Sequence, residues 1–313
     1  MNRTIVTELV LLGFTNNMKI NFLLFFVFLV IYIVTIFGNV LIICIILVHP
    51  HLRVPMYFFL TNLSFIDLCT ISCAVPRLLI DLLSTQRTIS LIACGAQIIL
   101  LLWIGANECW LLAVMALDRY VAICHPLHYP TVMRWSVCRG LAIFACVFSF
   151  TYAFFPSLMM QSTLCYNKVN HFACDPVSVT KLACGDTHDN QIVTFFFSFV
   201  SIFFPFIIIL VSYSCIIISI LKISTSGRSK AFSTCTSHIT VVAFYFGTGT
   251  VTYLGPSTEA SSNLLKYVSI FYVIISPMLN PFIYSLNNRE VKGAIVKKLY
   301  GIALCHHTGK VSS

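Results

Sequence analysis

Long stretches without charged side chains constrain this sequence more than any other feature. Five stretches contain no Asp, Glu, Lys or Arg: residues 20–52, 140–167, 190–221, 231–258 and 267–288. Two more, residues 54–76 and 88–117, contain one acid each, Asp67 and Glu108. A helix needs about 20 apolar residues to cross the hydrocarbon core of a bilayer, and all seven stretches are long enough. The pattern predicts seven membrane-spanning helices.

The overall composition supports this prediction. Only 9% of the 313 residues are charged and 58% are hydrophobic, which is too little charge to cover a soluble protein of this size. Backbone groups in lipid must be paired within the protein, and these lengths fit helices. We therefore predict an all-α membrane protein, with residues 1–313 as a single seven-helix transmembrane domain. The expected spans are 22–48, 55–78, 90–120, 138–160, 191–221, 233–256 and 267–287, with a short amphipathic eighth helix at 288–299.

Basic residues concentrate on one side of the predicted bundle. With the N-terminus outside, the inner loops and tail carry twelve Lys and Arg residues against two acids, Asp118 and Glu290. The positive-inside rule assigns that side to the cytoplasm. Asn2 begins an Asn-Arg-Thr glycosylation motif, which must face the lumen to be used. We expect a plasma-membrane protein with an extracellular N-terminus, whose basic face attracts anionic lipid and does not bind nucleic acid.

The cysteines form two populations. Most of the 14 cysteines lie in the spans or on the reducing cytoplasmic side. Four lie on the oxidising side: Cys94, Cys165, Cys174 and Cys184. Four cysteines allow three pairings, and the spacing alone leaves all three open. Three of them belong to a long loop, 161–189, which a bond to Cys94 would hold over the mouth of the bundle.

His171, Cys174 and Asp175 of this loop have side chains that a soft metal such as copper could use. The alternative is that Cys174 forms a disulfide and that His171 is an ordinary loop residue. We favour the alternative, and predict neither a metal nor a cofactor.

Two acids and two amides lie within the spans, where polar groups are costly and face the interior of the bundle. They are Asn39, Asp67, Glu108 and Asn280. Their oxygens could hold a sodium ion or share a proton. They could also form a hydrogen-bonded cluster that positions the helices.

Two motifs indicate a switch on the inner side. Asp118-Arg119-Tyr120 ends the third span, where the arginine can pair with its neighbour or bind an inserted partner helix. In the seventh span, Asn280-Pro281 precedes Tyr284; the proline removes a backbone hydrogen bond and bends the helix.

Four stretches of the chain resemble the rhodopsin-like G-protein-coupled receptors, and among them the class II olfactory receptors. They are PMYFFL at 55–60, MALDRYVAIC at 115–124, KAFSTCTSH at 230–238 and PMLNPFIY at 277–284. Ser212-Tyr213 in the fifth span matches as well. One departure is that the usual Phe-Tyr-Gly of the sixth span reads Tyr245-Phe246-Gly247 here.

The resemblance implies an odorant as ligand, a stimulatory olfactory G protein as partner, cyclic AMP as output and sensory cilia as location. It implies the disulfides Cys94–Cys174 and Cys165–Cys184. Tyr213 and His238 join the inner motifs as predicted coupling residues.

The outer half of the bundle should contain the ligand pocket. The residues predicted to line it are apolar or weakly polar, which suits a small, volatile, hydrophobic ligand: Leu101, Leu102, Gly105, Ala106, Phe197, Ser198, Ser201, Gly249, Thr250, Tyr253 and Val273. Leu101 stands where an amine receptor generally needs a carboxylate, and residues 267–288 lack the lysine that a retinal pigment needs.

A transporter or channel is the main alternative class, and it would predict inverted repeats, broken helices or charged residues that line a path. The sequence shows no internal repeat and has only two acids within the spans. A membrane enzyme would require a convergent nucleophile and base. We predict a receptor and not an enzyme.

Overall fold

A computed structural model describes residues 6–159, 164–184, 188–222, 225–254, 259–287 and 293. Seven long helices dominate it: α1 Met18–Val48, α2 Pro55–Leu83, α3 Leu91–Cys124, α4 Trp135–Met159, α5 His188–Leu221, α6 Thr225–Leu254, and α7, which runs as Glu259–Ile270, a π-helical turn Phe271–Ile275, and Ser276–Asn287. The seven-helix bundle predicted from the sequence is confirmed. Asn2 and most of the predicted eighth helix lie outside the described residues.

Several helices extend beyond the apolar runs that predicted them. α1 begins at Met18, where the Asn17 side chain accepts a hydrogen bond from the Lys19 amide and caps the helix. α2 continues to Leu83, and its last two turns contain an ion pair between Arg77 and Asp81, whose closest atoms are 2.9 Å apart. Hydrogen bonding, unlike hydropathy, does not stop at the edge of the hydrocarbon, so the helices are longer than the spans.

Six described helices are long and apolar enough to cross a membrane: Met18–Val48, Pro55–Leu83, Leu91–Cys124, Trp135–Phe155, Phe195–Leu221 and Asn263–Tyr284. α6 is more polar, since its sequence is rich in Ser, Thr and Gly. It packs within the bundle against α5 and α7. α3 is the central helix and contacts α2, α4, α5 and α6.

Side chains are arranged as a lipid solvent requires. Large apolar residues point outward, and Phe37 and Leu23 are 68% and 65% exposed. Polar side chains such as Asn39 and Asp67 are fully buried between the helices. This reverses the distribution found in a soluble protein and agrees with the cost of placing polar groups in hydrocarbon.

A small three-stranded sheet covers the outer end of the bundle. This sheet was not expected from the sequence. Strand β1 (Glu8–Leu11) lies in the middle, antiparallel to β2 (Thr88–Ser90) and parallel to β3 (Lys168–Val169). The N-terminal segment is thereby joined to the start of α3 and to the long outer loop. We call residues 6–17 the N-terminal strap.

Hydrogen bonds and ring contacts fasten the strap to the helices. Arg87 donates to the carbonyls of Leu12 and Thr15 at 2.8 and 3.1 Å. Lys266 of α7 donates to the carbonyl of Gly13 at 2.9 Å. Phe14 stacks on rings of α1, the outer loop and α7: Phe28, Phe172 and Tyr267.

Two disulfides hold the outer loop. Cys94–Cys174 joins it to α3, with a Cα–Cα distance of 5.4 Å, and Cys165–Cys184 closes the loop on itself at 5.0 Å. Beside the first bond, the Gln97 side chain accepts a hydrogen bond from the Cys174 amide at 2.9 Å. The loop therefore lies across the mouth of the bundle as a fixed roof.

Candidate ligand cavity and inner switch

The outer half of the bundle encloses a cavity with two lobes. Each lobe has a volume of about 510 Å³, including the space that opens to solvent. The two lobes are adjacent, and six residues line both of them: Leu101, Leu102, Gly105, Tyr245, Tyr253 and Tyr272. The upper lobe lies against the loop residues 171–176, and the lateral lobe extends between α3, α4 and α5.

Most residues predicted to line a pocket do face this cavity. Val273 lines the upper lobe. The other predicted residues of the lining belong to the lateral lobe (Ala106, Ser198, Ser201 and Gly249) or to both lobes (Leu101, Leu102, Gly105 and Tyr253). Phe197 is absent from the lining, because its half-buried ring packs on Tyr152 at 5.1 Å. Thr250 corrects the prediction: it is exposed, because it lies about 100° around α6 from Gly249.

Several lining residues were not predicted from the sequence. Tyr152 of α4 and Cys109 of α3 line the lateral lobe, whereas Glu108 lines the upper lobe. Tyr245 and Tyr272 line both. The Tyr253 and Tyr272 hydroxyls are hydrogen-bonded to each other at 2.9 Å. The cavity therefore carries more hydroxyl groups than the predicted set.

His171 forms part of the roof of the upper lobe and is buried. Its Nε2 lies 2.9 Å from the Ser269 hydroxyl, which itself donates to the Lys266 carbonyl. The other ring nitrogen, Nδ1, lies 3.0 Å from the Ala173 carbonyl oxygen and 3.2 Å from the Ala173 amide nitrogen. Burial lowers the pKa of His171, partly offset by the Asp175 carboxylate, so the neutral ring is favoured.

The side chains that the metal alternative needs make other contacts in the structure. Both ring nitrogens of His171 are hydrogen-bonded, and Cys174 is part of a disulfide. One Asp175 carboxylate oxygen accepts from the amide and hydroxyl of Ser178, at 2.9 and 3.0 Å. No cluster of three metal-binding side chains occurs among the residues that the structure describes.

A polar layer lies below the cavity. The Asn280 amide donates to both carboxylate oxygens of Asp67, at 3.0 and 3.1 Å, and joins α7 to α2. The Asn39 amide donates to the Pro277 carbonyl at 3.1 Å and joins α1 to α7. Glu108 is buried beside the upper lobe, and its Oε1 has no hydrogen-bond partner among the described residues. The arrangement ties three helices together, as the helix-positioning alternative requires.

On the inner side, Asp118 and Arg119 have separate environments. Asp118 is buried and accepts a hydrogen bond from the Tyr129 hydroxyl at 2.8 Å. Burial raises the pKa of Tyr129, and the neighbouring carboxylate adds to the effect, so the hydroxyl stays protonated and able to donate. In the described part of the chain, Arg119 makes neither a hydrogen bond nor an ion pair, whereas Tyr120 contacts His125 at 3.1 Å.

A second polar contact joins α5 to α6. The Tyr213 hydroxyl and His238 Nδ1 are 2.8 Å apart, and the two rings stack. His238 Nε2 and the Tyr284 hydroxyl are buried and have no hydrogen-bond partner among the described residues. The charge of Arg119 acts on all three of these side chains, so the predicted coupling residues of four helices converge here.

These features define a class: a seven-helix membrane protein with a roofed outer cavity and a polar inner face. The crystal structure of squid rhodopsin has a similar fold, with a TM-score of 0.71 and 18% sequence identity over 92% of this chain and 88% of that one. The fold is therefore that of the rhodopsin-like receptors.

Sequence comparison identifies the family. The family model described as olfactory receptor matches residues 28–301. Olfactory receptor 10A7 of Homo sapiens is 45% identical over 95% of this chain and 95% of its own length. Olfactory receptor 2B6 of Mus musculus is 46% identical over 96% of this chain and 97% of its own length. The chain belongs to the olfactory receptor family, and is thus a multi-pass membrane receptor and not an enzyme.

Proposed function

We propose that this receptor binds a small, volatile, mostly hydrophobic odorant in the two-lobed cavity and activates a stimulatory olfactory G protein, which raises cyclic AMP. We place it in the plasma membrane of sensory cilia, with the N-terminus outside. The observation that carries the proposal is a roofed cavity above a polar layer and a convergent inner face, in a chain of the olfactory receptor family.

The cavity walls favour a ligand of this kind. Leu101, Leu102 and Ile202 supply apolar surface, while tyrosine and serine hydroxyls supply a few hydrogen-bonding groups. No lysine or arginine lines either lobe among the described residues, which disfavours an anionic ligand. The acids Glu108 and Asp175 line only the upper lobe, whereas no charged side chain is among the described residues of the lateral lobe, so the lateral lobe suits a neutral ligand.

The inner face supports coupling through α6. We propose that the odorant favours an arrangement in which α6 moves away from α3 and opens a cleft beside Arg119, Tyr213 and Tyr284 for the C-terminal helix of the G protein. Arg119 is half-buried and makes no ion pair with a described residue, so its donors are available to the partner. The odorant can shift the balance only through its preference for the open arrangement.

The coupling role of Arg119 can be tested by substitution. Arg119→Ala should abolish odorant-driven cyclic AMP in cells while surface expression remains, because the docking cleft loses its cation. Arg139→Ala is the matched control, since Arg139 is an exposed arginine of α4 whose hydrogen bond among the described residues is to the Trp135 carbonyl of its own helix. Normal signalling by the Arg119 variant would refute the coupling role. A broad odorant panel, run first on the unaltered receptor, supplies the agonist.

A further inference from the structure

Two hydroxyl groups in the lateral lobe lack the partners that such groups normally find in a membrane helix. Hydroxyls on helices in lipid usually donate to the carbonyl one turn earlier. Thr248 and Thr252 do so, at 2.8 and 2.9 Å. The hydroxyls of Tyr152 and Ser201 are buried, yet neither has a hydrogen-bond partner among the described residues.

The two hydroxyls lie next to each other on the cavity wall. Tyr152 belongs to α4 and Ser201 to α5, and both line the lateral lobe. Ser201 is the polar residue that acts on the Tyr152 hydroxyl, although the two hydroxyls do not form a hydrogen bond with each other. The Tyr152 ring packs between Phe148 and Phe197, with ring-centroid distances of 6.3 and 5.1 Å. This packing holds the phenol in place before any ligand arrives.

The geometry points to a ligand oxygen that accepts two hydrogen bonds. We propose that Tyr152 and Ser201 form an oxygen-recognition site, which selects odorants that carry a carbonyl group: aldehydes, ketones or esters. The proposal rests on the proposed function and specifies the class of odorant. The apolar remainder of the ligand lies against Leu101, Leu102 and Ile202, which line the same lobe.

Hydrogen-bond counting favours a carbonyl over the other oxygenated groups. A carbonyl oxygen has two lone pairs and no hydrogen, so it accepts from both hydroxyls and leaves no donor unpaired. An alcohol oxygen can also accept from both hydroxyls, but its own hydrogen then needs a third acceptor, which this pair of side chains does not supply. A hydrocarbon has no acceptor, so it leaves both hydroxyls without a hydrogen-bond partner. Each neutral hydrogen bond should contribute up to about tenfold in affinity.

The test compares ligands that share a carbon skeleton. Purified receptor in lipid nanodiscs is titrated with straight-chain aldehydes, from butanal to dodecanal, and with the alcohol and alkane of each length, and thermal stabilisation is measured. We expect some aldehyde to bind about tenfold or more tightly than its alcohol and its alkane. If alcohols or alkanes bind as well as aldehydes at every length, or if no aldehyde binds, the proposal is overturned.

Variants test the two residues directly. Ser201→Ala and Tyr152→Phe each remove one hydroxyl and keep the packing, and each should reduce the preference for the aldehyde over the alkane by up to about tenfold. Ser157→Ala is the control on α4, because that hydroxyl donates to the Ala153 carbonyl at 2.8 Å and does not line either lobe. An unchanged preference in both cavity variants would overturn the assignment.

Binding and signalling are measured separately, so that the two proposals can fail independently. Aldehyde binding that depends on Ser201 and Tyr152, without cyclic AMP in cells, would contradict the proposed signalling and keep the recognition site. Cyclic AMP responses of equal size to ligands with and without a carbonyl group would contradict the recognition site and keep the proposed signalling.

Discussion

The N-terminal strap provides the most quantitative prediction, because it depends on one backbone angle. Gly13 has φ of +61°, the left-handed region that an L side chain rarely adopts. A Cβ added there would lie 2.9 Å from Nη1 of Arg87. Gly13→Ala should therefore strain the backbone and displace the guanidinium that donates to the carbonyls on both sides of residue 13.

The magnitude follows from these two effects. A left-handed conformation costs a non-glycine residue about 1–2 kcal/mol. Loss of one hydrogen bond from the Arg87 guanidinium costs about 1.5–3 kcal/mol, since the donor is charged and the side chain is only 8% exposed. Local opening of the strap should become easier by at least about 2 kcal/mol, which is roughly a 30-fold increase in the open population.

Hydrogen exchange measures this opening. The amides of Val10, Leu11 and Leu12 donate to backbone carbonyls across the sheet, at 2.7–2.9 Å, and report on the strap. Gly95→Ala is the matched control, because an added Cβ there contacts nothing within 4 Å and φ is not positive. Exchange should accelerate in the Gly13 variant and not in the control. Equal exchange in the two variants would refute the argument from backbone strain and the Arg87 contact.

Two further predictions concern the cavity and its roof. Gly249 lines the lateral lobe, and a Cβ added there meets nothing within 4 Å, so Gly249→Leu should fill part of the lobe and reduce agonist potency by about 10–200-fold with surface expression intact. Gly247→Leu, at an exposed position, should leave the potency unchanged. An equal loss of potency in both variants would contradict the cavity assignment. Because burial places the folded pKa of His171 below its ordinary 6.5, the outer loop should keep its stability above about pH 6.5 and lose it as the pH falls below that value. Thermal unfolding measured across this pH range should show a decrease in stability for the unaltered receptor and a smaller decrease for His171→Gln. Identical pH dependence in the two proteins would contradict a role of His171 in this decrease.

The bundle could be predicted because lipid imposes a simple rule on sequence. A helix that faces hydrocarbon must omit charge for about 20 residues, and this leaves an unambiguous signal. The ends of the helices follow other rules. Ser90 caps α3 by accepting from the Ala93 amide at 3.2 Å, which depends on local geometry that hydropathy does not report.

The outer sheet could not be predicted, because its strands are short and its pairings are distant. β3 has two residues, and the pairing of Val10 in β1 with Lys168 in β3 joins residues that are far apart in the sequence. No hydrophobic alternation can be recognised over so few residues. The lysine that binds Gly13 is likewise an ordinary charge in the sequence, and its role depends on how close α7 lies to the strap.

The cavity lining was partly predictable because residues four apart share one face of a helix. Leu101 and Gly105 line the cavity together for this reason. Tyr152 was missed because, among the described side chains, α4 contributes this one alone, and its reach depends on its rotamer and on the packing of Phe148 and Phe197. Rotamers and helix tilts are properties of the packed bundle, and no motif encodes them.

Tyr245 and Phe246 show how an exchange of two neighbouring residues changes the contacts of a helix. Compared with the usual Phe-Tyr-Gly order, the hydroxyl has moved about 100° around α6. It now donates to the Gly105 carbonyl of α3 at 2.9 Å, while Phe246 packs on Phe206 of α5 at 5.5 Å. A Cβ at Gly105 would lie 3.4 Å from the hydroxyl, so the glycine leaves room for this contact. Tyr245 and Gly105 both line the cavity, so an odorant bound beside them is placed to compete for this hydrogen bond between α6 and α3.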